Sequence, residues 1–339
     1  MSRLTRISYI FMLALLLVVG GLHLATPLIT VLFANFALNK LHFTRYKWIA
    51  VVLSMILVLA VFYGFYAFVK HALVALPDIV NTTIPKIIEY AQKHNIELPF
   101  YDLQSLKTVA LEGVKDQLNY LGNFAKFATK EFVALVIGGV VACSMFLSAK
   151  VELGRETSMF RNNLYSLVCD EIVLRFRSFY ESFAMVMGAQ IIISTINTLF
   201  TAIFVVAVRL PYAVVVIVLT FLCGLLPIIG NIISNSIIVG IAFTRSPNMA
   251  LLALAFLIVV HKLEYFLNSK IIGDRIKNPV WLTLLALVLG ERLMGIPGMI
   301  LAPVILHYVK VEMSKIRVDE VPPAHDAGHP PAPHIAVGK

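Results

Sequence analysis

The chain has 339 residues, 59% of them hydrophobic and only 14% charged, with a mean hydropathy of +0.87. That is too apolar for an ordinary soluble domain, in which about a quarter of the residues are charged, and it fits a polytopic membrane protein. The net charge of +9 is spread between apolar segments rather than gathered in one patch, so no nucleic-acid partner is expected; the lipid bilayer is the first partner.

Arg3 and Arg6 precede an uncharged run from Ile7 to Asn39. At roughly 33 residues it exceeds one crossing and falls short of two full crossings with a turn. Pro27 near its middle predicts a full first helix over 7–25 and a short second one over 28–39, as either a hairpin or a kinked helix. The run is too long for a signal peptide and no small-residue cleavage site follows, so an uncleaved anchor is expected. A third apolar segment, 48–69, completes an N-terminal group of membrane helices, 1–70. Residues 71–131 form the main polar region on the outer side, interrupted by Pro77, Pro85 and Pro99. Leu106, Val109, Ala110, Val114, Leu118 and Leu121 recur there at spacings of three and four, predicting a small helical region that packs on itself or on a neighbouring subunit, with substrate capture as the alternative. A fourth segment spans 132–149. In 150–181, Arg155, Arg161, Arg175 and Arg177 alternate with Met159, Phe160, Leu164, Leu167 and Phe176, the pattern of an amphipathic helix on an anionic inner leaflet.

The transport-like core is 182–312, with apolar segments at 183–208, 212–226, 231–244, 249–267, 280–290 and 296–309. Several are too short to cross alone. Two stretches, 225-LLPIIGNIISN-235 and 294-MGIPGMILAP-303, place Pro227 and Gly230, and then Gly295, Pro297 and Gly298, between short apolar runs. Irregular backbone inside hydrocarbon survives only when buried in protein or lining a wet cavity. The breaks therefore predict broken or re-entrant helices of the kind secondary transporters use for binding, or turns between tilted short helices. The fold class is all-α: a polytopic helical membrane protein of about eight membrane segments with a small outer helical region.

Polar side chains collect near these breaks. Asn231, Ser234 and Asn235 follow the first, and Gln190, Ser194, Asn197 and Thr201 run down one face of 183–208. Such residues either bond between helices or line a path. Ser246 and Pro247 look like a helix cap and first-turn proline, so a helix should begin near Met249. Its apolar part, 249–260, rises about 18 Å against roughly 30 Å of hydrocarbon, which puts His261, Lys262 and Glu264 within or at the edge of the membrane. His261, Glu264 and Asn268 share a face, while Lys262 can snorkel to the interface. Glu264 is the most deeply placed acid apart from Glu131 at a helix start, and intramembrane ionisable groups are functional candidates; an interfacial His–Glu pair is the structural alternative.

Basic residues fix the expected orientation. The N-terminus and residues 40–47, 150–181, 262–277 and 310–317 hold 17 of the 28 Lys and Arg, whereas Arg209, Arg245 and Arg292 stand singly on the other side. Both termini are therefore expected in the cytoplasm and the protein in the inner membrane. The proline-rich tail, 313–339, lacks periodicity and is expected to be disordered, its His325, His329 and His334 carrying no site. Cys143, Cys169 and Cys223 have neither disulfide nor metal spacing. There is no Walker A loop, HExxH, GxSxG or paired-Cys motif, so no enzyme, cofactor or metal site is expected and any work must use gradients or passive flow.

The C-terminal third resembles the autoinducer-2 exporter (AI-2E) family. The resemblance rests on Pro227 and Gly230, on 261-HKLEYFLNSKIIG-273, on Asn278-Pro279 and on Gly295-Ile-Pro-Gly298 with Pro303, strongest over about 210–310; Asn268 and Ser269 stand where many relatives carry an acid or amide followed by proline. It implies a homo-oligomeric transporter or exporter of small polar solutes or ions. Cation/proton antiport and a non-transporting membrane scaffold are the alternatives.

Overall fold

The computed structural model describes residues 3–43, 45–93, 121–148, 164–226, 229–272 and 279–316. The elements are α1 (Arg3–Gly21), α2 (Ala25–Leu41), α3 (Lys47–Lys93), α4 (Leu121–Leu147), α5 (Leu164–Ala207), α6 (Ala213–Gly224), α7 (Ile229–Phe243), α8 (Pro247–Ile272) and α9 (Val280–Ser314). Among the described residues there is no strand. Among the described residues six segments are long and apolar enough to cross a membrane: Arg3–Gly21, Lys47–His71, Thr129–Leu147, Leu164–Ala207, Pro247–Glu264 and Trp281–Ser314. The protein is an all-α, multi-pass membrane protein. Side chains such as Leu59, Phe62 and Tyr66 of α3 and Phe132, Val136 and Val140 of α4 remain exposed, as a lipid-facing surface requires.

Local chemistry sets the helix ends. The Met249 amide donates to Ser246 Oγ at 3.1 Å, so serine caps α8 and Pro247 occupies the first turn, where a missing N–H costs nothing. At the end of α5, Arg245 Nη1 donates to the carbonyls of Val208 and Arg209 at 2.7 and 2.9 Å, satisfying acceptors the helix leaves open. This marks the far face of the bundle. On the opposite, N-terminal face, Asn39 Nδ2 donates to Tyr180 Oη at 3.1 Å and Lys47 Nζ to the Phe146 carbonyl at 2.9 Å.

Three helical hairpins give the core its character. In the first, α1 and α2 are joined through His23 with φ 53°. Tyr9 near the start of α1 and Asn39 near the end of α2 both reach the basic part of α5, at Arg175 and Tyr180, so the segment is a hairpin and not a kinked helix.

The second hairpin is α6–α7, with arms of about 18 and 22 Å, both shorter than the hydrocarbon. Its arms approach so closely at the tip that a Cβ on Gly230 would lie 1.6 Å from the Cys223 carbonyl oxygen.

The third is α9 itself, which bends at Gly295 with φ 64° and ψ −150°, a conformation glycine alone adopts without strain. A Cβ on Gly298 would lie 1.9 Å from the Gly290 carbonyl oxygen, and one on Gly290 would lie 3.3 Å from Ala302 Cβ. In a straight helix residues 290 and 302 stand about 18 Å apart, so residues 280–294 and 296–314 are two arms folded back on each other.

The hairpins meet. Ile229 at the α6–α7 tip packs on Leu287, Met299 and Ala302 of the α9 arms, and Gly20 at the α1 end lies against Met294. Below these contacts Phe179, Phe183 and Met187 of α5 interlock with Leu301, Val304 and Tyr308 of α9 and with Met12 and Leu32. A second apolar cluster, including Val205, Val216, Ile238 and Leu257, ties α5 to α8 towards the far face.

The outer region expected over 71–131 is described only at its edges. There α3 continues to Lys93, where Lys86 donates to the Thr244 carbonyl and the Tyr90 ring meets Phe243 edge-on at 5.1 Å. The amphipathic stretch 106–120, the arginines and apolar residues of 149–163 and the histidine-bearing tail lie outside the described residues.

Candidate functional site between the hairpin tips

A short helix that ends inside a membrane exposes its last carbonyls, which must find donors. The tip of α6 finds them on α5: Gln190 Nε2 donates to the Gly224 carbonyl at 2.6 Å and Ser194 Oγ to the Phe221 carbonyl at 2.8 Å. Gly224 permits this approach, since a Cβ there would lie 2.5 Å from Ser194 Oγ. Ser194 is fully buried and stands about 20 Å along α5 from the exposed Glu181 and about 22 Å from Arg209, close to halfway through the membrane. Gln190→Leu should therefore lower stability by about 1 kcal/mol, read from unfolding in detergent micelles, because the Gly224 carbonyl loses its donor.

The start of α7 carries the second contact. Asn231 Nδ2 donates to both carboxylate oxygens of Glu264, at 2.7 and 2.8 Å, joining the hairpin tip to α8. The carboxylate is only 13% exposed. Through Asn231 it reaches the first turn of α7. His261 sits one turn away with Nδ1 3.8 Å from Glu264 Oε2 and with 70% of its side chain exposed, so it flanks the acid from outside.

The remaining polar residues divide. Ser234 is buried and its hydroxyl donates to the Asn231 carbonyl at 3.3 Å, while Asn235 is half-buried on the same helix. Asn197 and Thr201 are buried along α5, and Asn197 Oδ1 has no partner among the described residues. Asn268 belongs to α8, but its side chain, like all of Pro227, lies outside the described residues. Gly230, Gly295 and Gly298 shape the tips as set out above, and Pro297 follows the α9 bend directly. The two breaks, Gln190, Ser194, Asn231 and Glu264 thus come together around one pair of hairpin tips.

A further polar centre on the N-terminal face escaped the sequence reading. Glu312 of α9 is 3% exposed and accepts from Tyr9 Oη of α1 at 2.8 Å, from Ser178 Oγ of α5 at 2.5 Å and from Lys315 Nζ at 2.7 Å, and it pairs with Arg175 Nη1. Arg175 also bonds Glu171 at 3.0 Å and lies over the Tyr9 ring at 4.5 Å. Its side chain is only 12% exposed, so Arg175 turns into the bundle rather than towards lipid headgroups, because a buried carboxylate awaits it there. Five residues before Glu312, His307 is buried with no partner for either ring nitrogen among the described residues.

Among the described residues no group of three or more His, Cys, Asp or Glu side chains is placed to hold a metal ion. The hairpin tips bring together a carboxylate and amide side chains, beside a short helix whose last carbonyls accept from Gln190 and Ser194. The chain is 26% identical over 225 residues to the "Putative transport protein YdbI" of Bacillus subtilis (strain 168), a match covering 64% of this chain and 63% of that relative, so the alignment spans less than two thirds of its length. No solved structure matches. The profile of AI-2E family transporters matches residues 4–317, nearly the whole chain, and the protein therefore belongs to the AI-2E family of transporters.

Proposed function

We propose that this transporter is a secondary exporter in the inner membrane, both termini cytoplasmic, moving a small polar solute or ion past the apposed tips of the α6–α7 and α9 hairpins. The observation that carries the reading is the Glu264 carboxylate, bound through both oxygens by Asn231 at a hairpin tip inside the membrane. Intramembrane acids in such places exchange protons or cations, and broken helices supply polar ends without exposing backbone to lipid. Glu264 is the coupling acid and His261 its exposed neighbour on the same helix. Gln190, Ser194, Asn197, Asn231, Ser234 and Asn235 bound the path.

Cation/proton antiport uses the same acid and is the second reading. Proteoliposomes holding the purified chain, with imposed pH and cation gradients and a panel of small polar solutes, separate the two. Solute flux that follows the pH gradient supports export, and cation-dependent proton movement without solute supports antiport. No flux above protein-free vesicles in any condition would overturn both and leave a membrane scaffold.

A further inference from the structure

The end of α2 leaves a cation without a counter-ion on the N-terminal face. Lys40 is exposed, and its Nζ turns back along the helix to lie 5.8 Å from the centroid of the Phe36 ring, one turn earlier. Among the described residues it meets neither an acid nor an open carbonyl of the helix end, the usual partners of a lysine in a last turn. Beside it Asn39 Nδ2 donates to Asn35 Oδ1 at 3.0 Å and, across to α5, to Tyr180 Oη at 3.1 Å. Tyr180 accepts that bond and keeps its own proton to donate. Arg177, three residues before Tyr180 and so next to it on the helix surface, gives its Nε to Glu181 Oε1 at 3.0 Å. Both side chains of that pair are exposed, and the two Nη groups of Arg177 have no partner among the described residues.

These groups share one depth. Tyr180 lies about 21 Å along α5 from Ser194, which stands close to halfway through the membrane, and half the hydrocarbon is about 15 Å thick. Tyr180, Asn39 and Lys40 therefore fall in the headgroup layer. Towards the membrane centre the exposed face of α5 turns apolar. Glu181, Met185, Gly188 and Ile192 follow one another at spacings of four, three and four, and Met185 and Ile192 are both exposed. A Cβ on Gly188 would lie 3.7 Å from the Phe36 ring, so the seam between α2 and α5 is packed there. Gly188 itself adds no side chain, which leaves a shallow apolar lane between Met185 and Ile192.

Two bases from two helices and a hydroxyl proton, set against the single carboxylate of Glu181, suit a phosphodiester, which takes paired bonds from a guanidinium and a point charge from an ammonium. We propose that this face holds a phospholipid of net negative charge, its phosphate seated between Lys40 and Arg177 over the Asn39–Tyr180 bond and one acyl chain laid along Met185, Gly188 and Ile192. A zwitterionic lipid brings its own cation up to Lys40 and Arg177 and gains less from them. The lipid binds whether or not the chain carries solute, so this proposal stands apart from the transport reading.

The test is native mass spectrometry of the purified full chain in detergent, offered equal amounts of phosphatidylglycerol and phosphatidylcholine with the same acyl chains. Native protein should retain phosphatidylglycerol in preference. Lys40→Gln and Arg177→Gln should each lower that retention about fivefold, while Lys40→Arg, which keeps the charge, and Arg209→Gln on the far face should leave it near the native level. Glycerol phosphate in the same amount should not displace the lipid, since it lacks the chain that lies on α5. The unfolding temperature of the native chain gives a reading that needs no variant: it should rise with phosphatidylglycerol and not with phosphatidylcholine. Equal retention of the two lipids, retention indifferent to both glutamine variants, an equal loss in Arg209→Gln, or an unfolding temperature that ignores the headgroup would overturn the proposal. Displacement by glycerol phosphate would do so as well, by making this a site for a soluble phosphate.

Discussion

Gly230→Ala is expected to lower the unfolding free energy in detergent micelles by about 3 kcal/mol or more and to open the α6–α7 hairpin. The added methyl would stand 1.6 Å from the Cys223 carbonyl oxygen and 2.5 Å from its carbon. Those are backbone atoms of the facing arm, so no side-chain rotation relieves the clash and the arms must separate. Separation would also pull at the Gln190 and Ser194 bonds on one side and the Asn231–Glu264 bond on the other, which lie within a few residues of the contact. Gly240 on the same helix is the control. A Cβ there meets nothing within 4 Å, so Gly240→Ala should be neutral or stabilise by about 0.5–1 kcal/mol through helix propensity alone. Equal stability for the two variants would show that the arms do not approach as described.

The second large effect is expected at Glu312. Replacing it with leucine leaves Arg175 and Lys315 beside a buried site without their shared carboxylate, and losing one member of a buried pair costs about 3–5 kcal/mol. Arg175→Met with Glu312→Leu should recover much of that loss, because an apolar pair of similar volume removes both desolvation penalties. The ion pair Arg177–Glu181 on the same helix, 72% and 63% exposed, offers a contrast: removing it should cost less than about 1 kcal/mol. A double-mutant cycle by thermal or denaturant unfolding measures all of this. A Glu312→Leu cost no larger than that of Arg177→Ala would mean that the centre contributes little to holding α1, α5 and α9 together.

What could be read in the chain beforehand was local. Ser246 and Pro247 announce the start of α8, the Pro–Gly clusters announce both breaks, and the spacing of Gln190, Ser194 and Asn197 announces a polar face. What the face touches was not legible. Gln190 and Ser194 meet carbonyls 34 and 27 residues away, a relation set by how α6 packs and not by any pattern in α5. The Glu312 centre was still further out of reach, since Tyr9 is 303 residues from its partner. Arg175 alternates with apolar residues as a lipid-surface helix would, and periodicity gives no sign that one of its arginines turns inward to a carboxylate on α9. The α9 fold-back lay between the two cases: Gly295 and Gly298 marked a break, but the close approach of Gly290 to Gly298 and Ala302 is what makes it a hairpin.

The central claim is that the Glu264–Asn231 contact is a working site and not an anchor. Glutamine at 264 keeps an oxygen to accept from Asn231 and nearly the same volume, so Glu264→Gln should fold as native protein while losing the carboxylate proposed to couple flux to the pH gradient. The most direct measurement is flux in proteoliposomes under an imposed pH gradient, native chain beside Glu264→Gln, with unfolding temperature measured on both. Flux in the native chain that the variant lacks at unchanged stability is the predicted result. PH-driven flux of the same size in a well-folded Glu264→Gln would contradict it and return Glu264 to the role of a latch between α7 and α8.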